Sequence, residues 1–157
     1  MSVLAERVED VTGAGVPVEH LRAALPLPAG PRVIVAEDDA LLRGRMISEL
    51  RADGYTVVEA KSAKDLFDQV RASLRREGGG EPFAVIVSDA RTPNASGMDL
   101  LFGLRSVAGA TPIILVAAST EGLVLENAKR VRGLTILEEP VDVDELRLAV
   151  RRVVGQA

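Results

Sequence analysis

Carboxylate side chains follow two of the short apolar runs in this sequence, at places where a buried strand would end. Glu37 and Asp38 come directly after the first run, and Asp89 follows the third. Because the carboxyl ends of parallel strands meet at one edge of a sheet, these three carboxylates are expected to converge there. Grouping buried like charges is costly unless a cation neutralises them or some stay protonated. A hard divalent ion with oxygen ligands meets that need, so the sequence predicts a weak Mg²⁺ site.

A plainer alternative is that each strand end carries solvated acids with no ligand. That alternative would be preferred for a single acidic strand end. Acids after both the first and the third run, which would be neighbours where the strand order reverses, favour the metal site. Glu139, after the fifth run, is expected to add a further acidic neighbour.

Five apolar runs supply the strands that must hold these side chains. Three of them are nearly unbroken, as expected for strands buried on both faces of a parallel sheet. They are Arg32–Ala36, Phe83–Val87 and Pro112–Ala118. Two weaker runs, Tyr55–Ala60 and Leu134–Glu138, fit strands nearer an edge.

Between the runs lie stretches whose apolar residues recur at helical spacing. Four such faces are Leu42, Met46, Ile47 and Leu50; Leu66, Val70 and Leu74; Leu100, Leu101 and Leu104; and Leu146, Val150 and Val153. The first stretch stops at Asp53-Gly54, the last begins with Asp142 as its cap, and a further helix is expected over Glu121–Val131. Strand and helix therefore alternate five times between about residues 31 and 154. This pattern predicts an α/β fold with a doubly wound, five-stranded parallel sheet.

Composition excludes several classes of function. The chain has 157 residues, about one domain, and 47% of them are apolar, which is enough for a single core. It has 19 basic and 23 acidic side chains, a net charge of −4, so neither nucleic acid nor an anionic membrane surface is an expected partner. The absence of cysteine excludes disulfides and thiol catalysis, and a single histidine, His20, excludes any site that needs two. With no membrane span or signal sequence in the pattern, a soluble cytoplasmic protein is expected.

Residues 1–30 lie outside the alternation of strands and helices. They hold two short amphipathic candidates, Ser2–Val11 and Pro17–Leu25, which predict an N-terminal helical extension ahead of a domain over residues 31–155. Helices this short are marginal alone and need a surface to bury against. We expect them to pack on the domain or to form a dimer or partner surface, with a homodimer slightly favoured. The segment Arg75–Pro82, with three consecutive glycines, predicts a flexible loop.

Four segments of the sequence resemble the successive signatures of the bacterial response-regulator receiver domain, the CheY-like family. The segments are RVIVAEDDALLR, VIVSDARTPNASGMDLL, TPIILVAAS and EEPVDVDEL, and the resemblance covers residues 32–154. Its most specific part is the spacing Asp89-x-x-x-Pro93-x-x-x-Gly97 behind an acidic pair that follows the first strand. The resemblance implies a flavodoxin-like fold of five parallel strands and five helices.

The resemblance also implies a chemistry for the acidic residues. It makes Asp89 the acceptor of a phosphoryl group from a phosphohistidine. It assigns Glu37 and Asp38, with Asp89, to binding of Mg²⁺, and it adds the backbone carbonyl of Arg91 as a ligand. A carboxylate that attacks phosphorus needs a metal to offset the charge of both partners, which agrees with the clustered acids.

The chain departs from the family at three switch positions. The family's Ser or Thr at the end of the fourth strand falls on Ala117, which has no hydroxyl. The family's Lys before the proline after the fifth strand falls on Glu139, which would repel a phosphoryl group instead of binding it. The switching aromatic of the fifth strand falls on Ile136. The sequence therefore indicates an atypical receiver, with the acceptor and metal residues kept and the residues that sense the phosphoryl group lost.

Two hypotheses of different classes follow. The first is a single-domain response regulator, not an enzyme, that receives a phosphoryl group on Asp89 from a histidine kinase or a histidine phosphotransfer protein. Since the sequence ends soon after the fifth helix, its output is expected by docking to a downstream protein partner, by competition for phosphoryl groups or through residues 1–30. The second is a phosphorylation-independent pseudo-receiver that acts purely as an interaction module, which Ala117 and Glu139 favour. A magnesium-dependent phosphatase on a similar fold lacks a general acid or base in the sequence.

Overall fold

The computed structural model describes residues 30–77, 81–90, 97–118 and 122–155. Within these ranges, five strands and five helices alternate along the chain. The strands are β1 (Arg32–Ala36), β2 (Thr56–Glu59), β3 (Val85–Asp89), β4 (Ile113–Ala117) and β5 (Leu134–Glu138). The helices are α1 (Ala40–Ala52), α2 (Ala63–Leu74), α3 (Gly97–Ala108), α4 (Gly122–Ala128) and α5 (Val143–Gly155).

The strands form one parallel sheet in the order β2-β1-β3-β4-β5. This is the flavodoxin-like, doubly wound order, so the predicted fold class is confirmed. The strand order reverses between β1 and β3, and the carboxyl ends of these two strands therefore border the crevice where such sheets bind ligands. The two weaker apolar runs are the edge strands β2 and β5, as predicted, because an edge strand has only one neighbour to shield it.

Helices cover both faces of the sheet, and the alternation of side chains along each strand decides which face they meet. On one face, α1 and α5 pack on the odd-numbered residues of β1 and β3; the shared core includes Val33, Val35, Met46, Leu50, Val87, Leu146 and Val150. On the other face, α2 and α3 pack on the even-numbered residues; that core includes Ile34, Leu66, Val70, Ile86, Leu100 and Leu104. The short helix α4 packs with β4 and β5 in a third apolar cluster beside α3.

Three helices begin at a capping side chain, and that of α5, Asp142, is the predicted one. Asp39, Ser62 and Asp142 each accept a hydrogen bond from a backbone N–H in the first turn of the helix, at 2.9, 3.0 and 2.9 Å. Helix α1 ends with Asp53 as its cap, and Gly54 then takes a φ of +97°, a conformation that favours glycine. The predicted start of α5 and end of α1 are therefore confirmed.

The buried face of helix α2 differs by one residue from the predicted one. Leu74 was expected in the core but is 42% exposed, whereas Ser73 is buried and its hydroxyl donates to the carbonyl of Val70 at 2.9 Å. Leu66, Val70 and Ser73 follow each other at spacings of four and three, which keeps them on one face of a helix with 3.6 residues per turn. Leu74 follows Ser73 directly, so the helix turns its side chain by about 100° away from that face and towards solvent.

Two elements have boundaries that differ from the predicted ones by two residues or more. Strand β3 begins and ends two residues later than the predicted run Phe83–Val87, so Asp89 is the last residue of the strand and not the second residue after it. Helix α4 ends at Ala128, because hydrogen bonds from Arg130 to Asn127 and from Val131 to Ala128 turn the chain there. The predicted helix reached Val131.

Some predictions concern residues outside the described ranges. These are the two helical candidates of the N-terminal extension, the triple glycine at residues 78–80 and the carbonyl ligand Arg91. In the part of the chain that is described, each helix is too short or too polar to cross a membrane.

Candidate functional site

The register of the sheet sets Glu37 and Asp89 beside each other. β1 and β3 are neighbours, with Ala36 opposite Ser88, and the residue that follows each of these lies at the carboxyl edge of the sheet. Both side chains are buried, with exposures of 6% for Glu37 and 4% for Asp89. The fold thus brings one acid from each of two neighbouring strand ends into a common, water-poor environment.

This environment changes the chemistry of Glu37. Burial raises the pKa of its carboxyl group to about 7, and the charge of Asp89 is the second cause of the rise. A side-chain hydrogen bond with Asp89 and the charge of Glu139 also raise this pKa, whereas a hydrogen bond from the backbone N–H of Asp39 lowers it. Near neutral pH the metal-free protein therefore holds a proton on Glu37 in a large share of molecules.

One oxygen of Glu37 lacks a hydrogen-bond donor. Its Oε1 accepts from the N–H of Asp39 at 3.3 Å, but its Oε2 is buried, and when the group is ionised no donor among the described residues reaches it. A buried acceptor in this condition costs free energy, and a bound cation would remove the cost. Because Mg²⁺ prefers carboxylate oxygens and would also reduce the repulsion between Glu37 and Asp89, the residues present fit the predicted ion.

Asp38 differs from the buried pair because its side chain is exposed at the rim of the site. Across the described residues, no three acidic or imidazole side chains already converge in the geometry of a metal centre. The part of the site that is formed in advance is thus the pair of Glu37 and Asp89. An exposed side chain such as Asp38 can rotate towards an arriving ion.

The connection between β1 and α1 is held by hydrogen bonds to its backbone. Arg43, on α1, donates from Nη1 to the carbonyl of Glu37 at 2.7 Å and pairs through Nε with Oε1 of Glu59 at 2.6 Å. Nothing in the sequence pattern marked Arg43 as part of the site. The only available signal was its position four residues after the helix cap Asp39, which places it one turn into α1, near the end of β1.

The three residues that the sequence predicts to be altered switch positions lie on or directly after β4 and β5. Ala117 ends β4 fully buried, and its side chain carries no polar atom. Glu139 follows β5; its N–H donates to the carbonyl of Ala117 at 3.0 Å, and its peptide bond to Pro140 is cis. Glu139 is near enough for its charge to raise the pKa of Glu37. Ile136 is half-buried in the apolar cluster beneath α4.

Comparison with known proteins agrees with this fold. The sequence model of the response regulator receiver domain matches residues 33–151, and the chain belongs to that family. It is 32% identical over 137 residues to the response regulator protein PmrA of Pseudomonas aeruginosa, covering 80% of this chain and 55% of PmrA. It is 28% identical over 141 residues to the transcriptional regulatory protein PdtaR of Mycobacterium tuberculosis, covering 89% of this chain and 62% of PdtaR. The chain therefore spans little more than half the length of these two relatives.

Solved receiver domains share the architecture. The receiver domain of a sensor histidine kinase from Pseudomonas aeruginosa superposes with a TM-score of 0.65 at 21% identity, covering 81% of this chain and 99% of that one. That structure has a magnesium ion coordinated in its active site cleft. Receiver domains are signalling modules of two-component systems that interact with histidine kinases or phosphotransfer proteins, and a role in such signalling follows for this chain.

Proposed function

We propose that this receiver domain accepts a phosphoryl group on Asp89 from a phosphohistidine of a histidine kinase or a histidine phosphotransfer protein. The observation that carries the proposal is the buried pair of Glu37 and Asp89 at the carboxyl ends of β1 and β3. Two adjacent buried carboxyl groups are unfavourable for a fold on their own account. Strongly perturbed carboxyl groups in a crevice are typical of functional sites.

In this proposal Mg²⁺ is held by Glu37, Asp38 and Asp89, with the backbone carbonyl of Arg91 as a further ligand. When bound, the ion supplies positive charge that offsets the repulsion between a carboxylate and a phosphoryl group. Glu37 must give up its proton to act as a ligand, so metal binding is coupled to proton release. The magnesium ion in the related receiver domain supports this assignment through the shared fold.

The transfer itself makes one bond and breaks one. A carboxylate oxygen of Asp89 forms a bond to phosphorus while the P–N bond of the phosphohistidine breaks, and the electron pair of that bond stays on the imidazole nitrogen. The product is an aspartyl phosphate. The protein contributes mainly position, because β3 fixes Asp89 at the sheet edge and burial keeps competing water away from the carboxylate.

We further propose that the output is a protein–protein interaction in which the usual switch takes little part. A buried methyl group at Ala117 can donate no hydrogen bond to a phosphoryl oxygen. Glu139 adds negative charge to the site, as its effect on the pKa of Glu37 indicates. Phosphorylation therefore has few contacts through which to favour one conformation of β4, α4 and β5 over another.

The same two positions favour a second candidate function. If the charge of Glu139 prevents phosphorylation of Asp89, the protein acts as a phosphorylation-independent pseudo-receiver. It would then bind its partner through a helical face whatever the state of Asp89.

Labelling with acetyl phosphate, followed by intact-mass measurement, separates the two candidates. We expect the wild type to gain one phosphoryl group in Mg²⁺ and none in EDTA, and Asp89→Asn to gain none. Asp144→Asn is the matched control, since Asp144 is an exposed acid on α5 and should leave labelling unchanged. If the wild type takes up no phosphoryl group at millimolar Mg²⁺, phosphotransfer is wrong and the pseudo-receiver function is supported.

We also propose domain boundaries for the chain and a cellular location for the protein. Residues 31–155 form the receiver unit, and residues 1–30 are a separate extension that serves self-association or partner binding. A histidine kinase makes its phosphohistidine from ATP, so the cytoplasm is the proposed location of the protein.

A further inference from the structure

Arg43 links the chain segment that carries Glu37 to the edge of the sheet. Its Nη1 donates to the carbonyl oxygen of Glu37 at 2.7 Å, and its Nε pairs with Oε1 of Glu59 at 2.6 Å. The side chain of Arg43 is 25% exposed and is therefore partly buried. One cation thus connects the end of β1, the end of β2 and the second turn of α1.

The partner of this cation, Glu59, has a backbone that is held by the sheet and by α2. It is the last residue of β2 and lies opposite Val35 in the register of the sheet. The N–H of Ala60 donates to the carbonyl of Val35 at 2.9 Å, and Nε2 of Gln69 donates to the carbonyl of Glu59 at 3.2 Å. These bonds hold the backbone around Glu59; its side chain, 41% exposed, pairs with Arg43.

Two hydrogen bonds restrain Glu37 at its two ends. Arg43 binds its backbone carbonyl, and the N–H of Asp39 binds its Oε1. The remaining oxygen, Oε2, is the buried acceptor that no donor within the described ranges reaches when Glu37 is ionised. Arg43 contacts the backbone of Glu37 and not its carboxyl group, so it can orient Glu37 and leave Oε2 open to a ligand.

We propose that Arg43 is a positioning residue for the Glu37–Asp89 site, holding Glu37 in the orientation in which Oε2 can bind a divalent cation. This inference rests on the proposed function. Some groups hydrogen-bond to a metal-ligand residue without touching the metal. Removing such a group typically weakens metal binding by about 10–100-fold. A partly exposed ion pair adds little to the stability of a fold. The positioning role can therefore be measured separately from a structural one.

Arg43→Met tests the inference, because it removes both polar contacts and keeps most of the aliphatic side chain. We expect Mg²⁺ to bind about tenfold more weakly in titrations followed by the amide shifts of residues 36–39 and 88–90. In EDTA, with no metal present, the amides of Asp38 and Asp39 should exchange hydrogen faster in the variant. Arg43→Lys keeps a donor near the carbonyl of Glu37 and should recover part of the affinity.

Arg51→Met is the matched control. Arg51 is also on α1 and donates to a β2 carbonyl, that of Val57 at 3.2 Å, but it has no contact with Glu37. Its removal should leave the Mg²⁺ affinity at the wild-type value. Equal Mg²⁺ affinities in the wild type and Arg43→Met would show that Arg43 is merely structural and overturn the inference alone. Failure of the wild type to bind Mg²⁺ would overturn the proposed metal site and the inference with it.

Discussion

The carboxyl group of Glu37 keeps its proton in the metal-free fold at pH values where an exposed glutamate is ionised. Its pKa rises from 4.5 to about 7, first through burial and then through the charge of Asp89. Below about pH 4.5 the group is protonated in both the folded and the unfolded chain and has no effect on stability. Above that pH the unfolded chain loses its proton first, so ionisation increasingly favours unfolding as the pH rises through 7.

We therefore predict that the free energy of unfolding of the metal-free protein falls by about 2 kcal/mol between about pH 5 and pH 8. Denaturant titrations in EDTA at the two pH values measure this fall. Glu37→Gln has no proton to lose and should remove most of the pH dependence. If the fall persists unchanged in Glu37→Gln, the raised pKa belongs to another group.

Asp89→Asn should have opposite effects on function and on stability. The amide is a poor nucleophile, so the variant should take up no phosphoryl group. It should also stabilise the metal-free fold at pH 8 by about 0.5–2 kcal/mol, because one of two adjacent buried charges is removed. Thermal melts in EDTA check the sign, and an Asp89→Asn variant less stable than the wild type would argue against crowding of the carboxylates.

At the scale of elements, the segment from β4 through α4 to β5 is expected to stay unmoved when the site is occupied. Its first strand ends in Ala117 and its last strand leads into Glu139, and neither side chain can donate a hydrogen bond to a phosphoryl group. We predict that a beryllofluoride mimic, added with Mg²⁺, shifts the amides of residues 37–39 and 89–97 and leaves residues 120–140 nearly unchanged.

A double variant, Ala117→Thr with Glu139→Lys, restores a hydroxyl and an ammonium at these positions. It should bind beryllofluoride more tightly than the wild type and extend the shifts towards Ile136. Large shifts across residues 120–140 in the wild type would instead show that another group replaces the missing contacts and that the switch operates.

The elements differ in how much of them the sequence could predict. Strong periodicity predicted five strands, their helices and the two edge strands, because burial on one or both faces leaves a direct pattern in the residue types. The pattern could not tell that Glu37 is buried and Asp38 exposed, since both follow the strand and only the final pleat decides which faces inward. Arg43 was missed because its two partners, Glu37 and Glu59, come together only when β1 and β2 pair.

At the scale of the whole molecule, the extension at residues 1–30 is proposed to mediate self-association. Val18, Leu21 and Leu25 recur at helical spacing, and so small an apolar face needs a surface to cover it. Sedimentation of the full chain should give a dimer, and a chain that starts at Pro31 should give a monomer. Identical monomer masses for both would remove the dimer from the proposal.

Mapping the phosphorylated residue tests the central proposal most directly. The full chain is incubated with a phosphorylated histidine phosphotransfer protein in Mg²⁺, and the acyl phosphate is trapped by borohydride, which reduces the modified aspartate to homoserine. We predict homoserine at position 89 in Mg²⁺, and none in EDTA or in the Asp89→Asn variant. Homoserine at another aspartate, or at no position under saturating donor and Mg²⁺, would contradict the assignment of Asp89 as the acceptor.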